Sequence, residues 1–109
     1  MAGTFVIKRS GDQFMFNLKA GNHENILASE RYVAKQSAQS GITSVQRNAA
    51  VDERYRRLTA KNGQFYFTLT AANGETIGTS EMYPAAAARD KGIESVKTSA
   101  PGAPTKDET

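Results

Sequence analysis

The sequence predicts an α+β fold in which two homologous halves share one antiparallel-rich sheet, with two helices on one face of it. Three observations predict this fold. The chain of 109 residues repeats itself at an offset of 51, each copy begins with alternating apolar residues, and each copy ends with apolar residues at helical spacing. The length fits a single domain, residues 1–109. We divide it into repeat one, about 1–53, and repeat two, about 54–109.

The duplication is the strongest of these signals. Gln13–Val45 aligns without a gap with Gln64–Val96, and about half of the aligned positions are identical. Two copies are too few for a solenoid, which needs about three repeats to be stable. A unit of about fifty residues buries little surface by itself. We therefore expect the two halves to stabilise each other through a common core.

Each repeat begins with three strands. The alternation of apolar and polar residues in "QFMFNLK" and "QFYFTLT" is typical of a strand with one buried face, and the Gly–Asn and Asn–Gly pairs that follow are typical of hairpin turns. The predicted strands and turn pairs are, in repeat one, Phe5–Ile7, Phe14–Leu18, Gly21–Asn22 and Ile26–Ala28, and, in repeat two, Tyr55–Thr59, Phe65–Leu69, Asn73–Gly74 and Ile77–Thr79.

A helix follows the hairpin in each repeat. The residues at helical spacing are Ala34, Ala38, Gly41, Ile42 and Val45 in repeat one, and Ala85, Ala88, Gly92, Ile93 and Val96 in repeat two. A glycine within a helix costs about 1 kcal/mol relative to alanine. Because Gly41 and Gly92 occupy the same place in both copies, they predict close packing of helix on sheet. The tail "APGAPTKDET" forms either a short edge strand or a frayed end.

The pattern "QFxFxLxAxNxExI…SExY…A……GIxSV", present twice, resembles the YegP-like family of small bacterial proteins of unknown function. Its most specific parts are Gly41–Val45 and Gly92–Val96. The resemblance implies tandem β-β-β-α-β repeats whose C-terminal strands are exchanged between the halves. The segment after Ala49 would then pair with the second half, and Thr105–Glu108 with the first. The family has no established activity, so the resemblance identifies no catalytic residues.

Composition narrows the functional classes. There is no cysteine, which excludes disulfides, thiolate metal sites and cysteine nucleophiles. The net charge of +3, from 14 basic and 11 acidic residues, favours anionic partners without requiring them. The apolar run at the N-terminus is too short for a signal peptide, and no stretch approaches the about 20 apolar residues of a membrane span. We expect a cytoplasmic protein, not bound to membranes, and a monomer because the tandem repeats complete their own sheet.

No residue pattern predicts an enzyme, a cofactor or a metal site. Phosphate loops, zinc spacings and nucleophile motifs are absent from the sequence. His23, the single histidine, aligns with Gly74 and is interpreted as a solvated turn residue. Two glutamates of each copy align, Glu24 with Glu75 and Glu30 with Glu81. Because Ser29–Glu30 and Ser80–Glu81 precede the helices, we interpret the glutamates as helix-capping residues or ion-pair partners.

The sequence "ERYRRLTAK" contains the candidate binding residues. Arg54, Arg56 and Arg57 lie in the strand that links the repeats, with Lys61 just beyond it. Alternation places Arg54 and Arg56 on one face of this strand and Arg57 on the other. Tyr66 is the aromatic residue on the predicted outer face, which Lys8, Met15 and Lys19 extend. Charges that discourage edge-to-edge aggregation are the interpretation we favour, and binding of single strands by charge and stacking is the alternative.

The leading functional hypothesis is a small non-enzymatic binding or interaction module of unknown partner, either protein or nucleic acid. The alternative is a weak single-stranded nucleic-acid binder that uses Arg54, Arg56, Arg57, Lys61 and Tyr66. A continuous positive patch on the face without helices would favour nucleic acid. A deep cleft between the halves would favour a small ligand or an enzyme, and its expected lining is Glu30, Tyr32, Glu81 and Tyr83.

Overall fold

A computed structural model describes residues 3–109 as seven strands, two α-helices and one 3₁₀ turn at Asp52–Arg54. All predicted strands and both predicted helices are present. In chain order they are β1 (Thr4–Ser10), β2 (Gln13–Lys19), β3 (Asn25–Ala28), α1 (Lys35–Asn48), β4 (Tyr55–Thr59), β5 (Phe65–Thr70), β6 (Thr76–Thr79), α2 (Ala86–Ser99) and β7 (Thr105–Glu108).

The seven strands form one mixed sheet in the order β4-β5-β6-β3-β2-β1-β7. Neighbouring strands are antiparallel except for β1 and β7, which are parallel. The halves meet in the middle, where β3 and β6 pair at Ala28 and Thr79. The tail therefore forms an edge strand, β7, and the sheet common to both repeats is confirmed.

A single hydrophobic core spans both repeats between the sheet and the helices. Residues opposite each other on paired strands share a face, so the pairings Ile7–Phe16, Leu18–Leu27 and Phe67–Arg57 fix which side chains face inward. Each helix contacts strands of both halves. The largest fully buried side chains belong to both repeats: Phe5, Ile7, Phe16, Leu18, Leu27, Val45, Phe67, Leu69, Ile93 and Val96.

The helix glycines lie directly over aromatic rings, which confirms the predicted close packing. A β-carbon on Gly41 would stand 2.6 Å from Tyr32 Oη and 2.9 Å from Phe16 Cε2. The Tyr32 and Phe16 rings are stacked, with centroids 6.3 Å apart and an interplanar angle of 9°. Gly92 meets Tyr83 and Phe67 in the same way. Alanine would form the better isolated helix, so contact with the sheet explains glycine here.

The hairpin turn of repeat one differs from the prediction. The residue with positive φ is His23, at 69°, and not the Gly21–Asn22 pair; in repeat two it is Gly74, at 87°. The backbone N–H of His23 donates to the carbonyl oxygen of Ala20 at 2.9 Å, as the N–H of Gly74 does to its counterpart. Histidine thus completes the same turn that glycine forms without strain.

The interpretation of Glu30 and Glu81 as helix-capping residues is wrong. The N-cap of α1 is Ala34, no side chain caps it, and no acidic residue lies in the first turn. Ser29 Oγ instead accepts the N–H of Phe16 at 2.9 Å and donates to the carbonyl oxygen of Glu30 at 2.7 Å. Ser80 makes the equivalent bonds in repeat two. The serines join the end of the third strand to the middle of the second in each repeat.

The burial of Tyr55 predicts that the folded protein loses stability at alkaline pH. Its hydroxyl donates to the carbonyl oxygen of Ala49 at 2.6 Å, and burial, followed by the charges of Glu94 and Asp52, raises its pKa above the usual value of about 10. A raised pKa in the folded state means that stability present below pH 10 is lost as the pH rises further. We expect Tyr55→Phe to lower the free energy of unfolding by about 1 kcal/mol at pH 7 and to flatten its decline above pH 10.

Urea unfolding at pH 7 and at pH 10.5 measures both effects. The free energy of unfolding should still decline somewhat above pH 10 in Tyr55→Phe, because burial also raises the pKa of Tyr32 and Tyr83. A variant that loses stability with pH as steeply as the parent would contradict this role of Tyr55.

Candidate functional site

The face of the sheet opposite the helices, here the helix-free face, carries one row of residues that crosses all seven strands. Each member lies directly opposite the next, because the registers of neighbouring strands align. At about 4.8 Å between strands, the row is roughly 29 Å long. Its members are Arg56, Thr68, Thr79, Ala28, Asn17, Val6 and Lys106.

Three of the five inner members of this row are buried. Val6, Asn17 and Thr68 are only 6%, 7% and 9% exposed, although no helix covers them. Cationic side chains occupy the two ends of the row, Arg56 at one and Lys106 at the other.

Two of the predicted binding residues lie on the helix-free face. Arg56 is opposite Thr68, and Tyr66 is opposite Leu58 in the neighbouring row. Arg56 is exposed and Tyr66 is half-buried. The predicted alternation is correct for Arg56 and Arg57, and it places one arginine and one aromatic ring on neighbouring strands of this face. It is wrong for Arg54, which lies before β4 in the 3₁₀ turn and not beside Arg56.

Arg57 lies on the other face, opposite Phe67 and near α2. Its guanidinium contacts Asp52 at 3.3 Å and Asp90 at 3.4 Å. Lys97 also donates to Asp52, at 2.7 Å. Both hydrogen bonds lower the pKa of Asp52, and the bond from Lys97 has the larger effect. Arg57 thus belongs to an ion-pair network between β4 and α2.

The other two predicted residues are separate from both groups. Arg54 is in the 3₁₀ turn, where its Nε donates to Asn48 Oδ1 at 3.0 Å. Lys61 is exposed in the turn between β4 and β5. The five candidates therefore do not form one patch, and Arg56 with Tyr66 is the pair that shares the helix-free face.

A pocket of about 170 Å³ opens on the opposite end of the same face, where β7, β1 and β2 meet the turn after β2. Strand pairing builds it, because Thr4 is opposite Lys19 and Val6 is opposite Lys106. We call it the cationic pocket, defined by its lining: Thr4, Val6, Lys19, His23, Lys106 and Glu108.

Sequence reasoning missed this pocket. It noted Lys19 as an outward residue and His23 as a turn residue, but nothing connected them with Lys106, which is 87 residues from Lys19 along the chain. One signal was available. At two pocket positions the repeats differ in charge or size, with Lys19 aligned with Thr70 and His23 with Gly74.

The two tyrosines that would line a ligand cleft between the halves pack instead within their own halves. Tyr32 stacks on Phe16, as Tyr83 does on Phe67. Burial raises the pKa of Tyr32, and the charges of Glu30 and Glu75 add to the effect. The recurrent glutamates of the two repeats thus approach the same tyrosine. Among residues 3–109, no group of three or more His, Cys, Asp or Glu side chains is arranged to hold a metal ion.

These features define a small tandem-repeat α+β protein with one mixed sheet, a helix-free face and a single continuous core. In the part of the chain that the structure describes, no helix is both long and apolar enough to cross a membrane. The chain belongs to the YegP-like family, whose domain of unknown function (DUF1508) matches it twice, at residues 10–55 and 60–107.

Relatives cover the whole chain. A UPF0339 protein of Bordetella pertussis is 67% identical over 100% of this chain and 98% of its own length. The UPF0339 protein YegP of Escherichia coli K12 is 52% identical over 100% of both chains. None of these names indicates an enzymatic activity.

Two solved structures have the same fold. The solution NMR structure of yegP from Escherichia coli, described as a protein of unknown function, has a TM-score of 0.94 at 52% identity and covers 100% of this chain and 95% of that one. The solution NMR structure of a UPF0339 protein from Shewanella oneidensis has a TM-score of 0.92 at 48% identity, over 98% and 92% of the two chains.

Proposed function

We propose that the protein is a non-enzymatic binding module that holds an anionic partner on the helix-free face. The observation that carries this proposal is the charge of the strand residues on that face. Lys8, Lys19, Arg56 and Lys106 face outward there, and within residues 3–109 Glu108 is the one outward acidic strand residue. Such a surface attracts anionic partners and raises their rate of association.

The opposite side of the molecule supports the same proposal. There the acidic residues of β7 and α2 are paired: Asp107 with Lys35, Asp90 with Arg57 and Arg89, and Glu94 with Lys97. The hydrogen bond from Lys35 is the largest of the effects that lower the pKa of Asp107. These acidic residues are thus paired with cations on the helix side, while Lys8, Lys19 and Arg56 of the helix-free face form no ion pair among residues 3–109.

Single-stranded nucleic acid is the second candidate partner. The neighbouring Arg56 and Tyr66 favour it, because proteins that hold single strands combine phosphate-binding cations with exposed rings on which bases stack. Lys61, in the adjacent turn, would extend this contact. Arg54 and Arg57 are assigned no part in it, since both are engaged on the side of the helices.

We also propose that the module acts as a cytoplasmic monomer in which the last strand of repeat two crosses to the first half. In support, the chain leaves α2 to enter β7, which pairs with β1. The segment after Ala49 contributes the 3₁₀ turn at Asp52–Arg54 and leads into β4, the first strand of repeat two. Sedimentation at several concentrations tests the monomer, and cell fractionation tests the location.

An NMR titration of isotope-labelled protein with an acidic peptide and with single-stranded DNA tests the binding proposal. We expect shifts around Arg56 and Tyr66 or around Lys19 and Lys106, and we expect affinity to fall steeply as salt rises. Arg56→Gln should weaken binding to DNA severalfold. Arg57→Gln is the matched control, because it removes the same charge from the next residue, on the other face.

Equal losses in the two arginine variants would contradict the assignment of DNA to this face. Shifts confined to the helices, with either ligand, would contradict the proposed function itself. Shifts with the peptide and none with DNA would remove nucleic acid and retain the binding module.

A further inference from the structure

We propose that the cationic pocket binds one small anionic group, a carboxylate or a phosphate. This deepens the proposed function and rests on it, because the pocket is one part of the helix-free face. Lys19 and Lys106 approach the pocket from different strands, and Lys19 forms no ion pair among residues 3–109. Ammonium groups from two sides are suited to an anion, which accepts charge-assisted hydrogen bonds from both.

The pocket already holds a carboxylate. Glu108 lines the pocket, and its Oε2 atom lies 3.4 Å from the Nζ atom of Lys106. Glu108 is exposed at the end of a short edge strand, so its side chain is free to leave Lys106 to a competing anion. The chain's own carboxylate thus indicates the ligand chemistry and competes with the ligand.

His23 provides the second, independent observation. Its φ of 69° is a conformation that costs an ordinary residue about 1–2 kcal/mol. The turn requires a positive φ in both repeats, but glycine meets this requirement without strain, as Gly74 does at 87°. A residue other than glycine that is held in this conformation is typical of functional positions. The strained residue lines the pocket, where its imidazole adds a hydrogen-bonding group to the two ammonium groups.

The pocket occurs in one half of the molecule. Lys19 aligns with Thr70 and His23 with Gly74 in repeat two, and β7 has no counterpart beside β4 at the other edge of the sheet. The stoichiometry should therefore be one anion per chain. The volume of about 170 Å³ is below the about 300–1,000 Å³ of usual small-molecule sites, which fits a single anionic group and not a whole cofactor.

The test is an NMR titration at constant ionic strength with inorganic phosphate and with acetate, and with chloride as the reference anion. We expect saturable shifts at the pocket residues with one or both anions, at millimolar concentrations. Lys19→Gln and Lys106→Gln should each weaken binding about tenfold, the effect of one charge-assisted hydrogen bond. Glu108→Gln should tighten it, because the internal competitor is gone.

Two further variants separate a built site from general attraction. Lys91→Gln removes one exposed positive charge from α2, and binding should not change. His23→Gly should weaken binding while thermal stability stays equal or rises, since glycine accepts positive φ without strain. This opposite response of affinity and stability is not expected of a histidine that serves the turn alone.

The outcomes distinguish this inference from the proposed function. Saturation by phosphate alone, or by acetate alone, assigns the anion class. No shift at the pocket with either anion, or equal losses in Lys91→Gln and Lys19→Gln, would overturn the inference. Binding of the acidic peptide or of DNA elsewhere on the helix-free face would leave the proposed function intact in that case.

Discussion

Replacing Phe67 with alanine is expected to lower the free energy of unfolding by about 3–5 kcal/mol, the usual cost of deleting a buried aromatic ring. Phe67 is fully buried. Its ring contacts Tyr55 edge-on, with centroids 5.8 Å apart, and stacks on Tyr83 at 6.5 Å. Since small domains are stable by only about 5–15 kcal/mol, this loss should remove a large share of the protein's stability.

The effect should extend to both repeats, because one core spans them. Urea unfolding followed by NMR signals from each half should give one midpoint for Phe67→Ala, and Phe16→Ala should lower stability by a similar amount. Tyr66→Ala is the matched control. It removes the adjacent ring from the other face, at a cost of about 1 kcal/mol or less. A first half that stays folded in Phe67→Ala would contradict the common core.

Gly41→Ala is expected to destabilise the protein by about 1–3 kcal/mol, although alanine favours an isolated helix by about 1 kcal/mol. The added methyl group would stand 2.6 Å from Tyr32 Oη and 2.9 Å from Phe16 Cε2, closer than carbon and oxygen atoms pack. Helix or rings must therefore shift. Thermal and urea unfolding measure the loss.

The neighbouring position provides the control. Ser40 is exposed in the same helix, and Ser40→Ala should be neutral or slightly stabilising, as helix propensity predicts. Tyr32→Leu shortens the side chain over Gly41, so Gly41→Ala should cost less in that background. A double-mutant cycle gives this coupling. Additive losses would mean that the tyrosine is not what excludes a β-carbon.

Much of the fold could be predicted, because its signals are local. Alternation in Phe14–Leu18 identified β2 and its buried face, and helical spacing identified α1 together with its contact residue Gly41. The errors have the same origin. Glu30 resembles a helix-capping residue by its place in the sequence, but no acidic residue lies in the first turn of α1 and no side chain caps it. His23 takes positive φ where the sequence suggested Gly21–Asn22.

The candidate site was less predictable. The run of arginines suggested one patch, yet alternation and the 3₁₀ turn send Arg56 and Arg57 to opposite faces and Arg54 toward α1. Sequence could place Arg56 and Arg57 on different faces. It could not tell that Asp90, on a helix more than thirty residues away, neutralises one of them.

The sequence alone determined the duplication, the order of strands and helices, and the buried face of each, because backbone geometry fixes the spacing of side chains along a strand or a helix. Only the tertiary structure decided what lies on the helix-free face. The parallel register of β7 on β1 brings Lys106 beside Val6, and the pairing of β1 with β2 brings Lys19 to the same place. Pairing between strands distant in the chain sets such contacts, and no local pattern encodes that register.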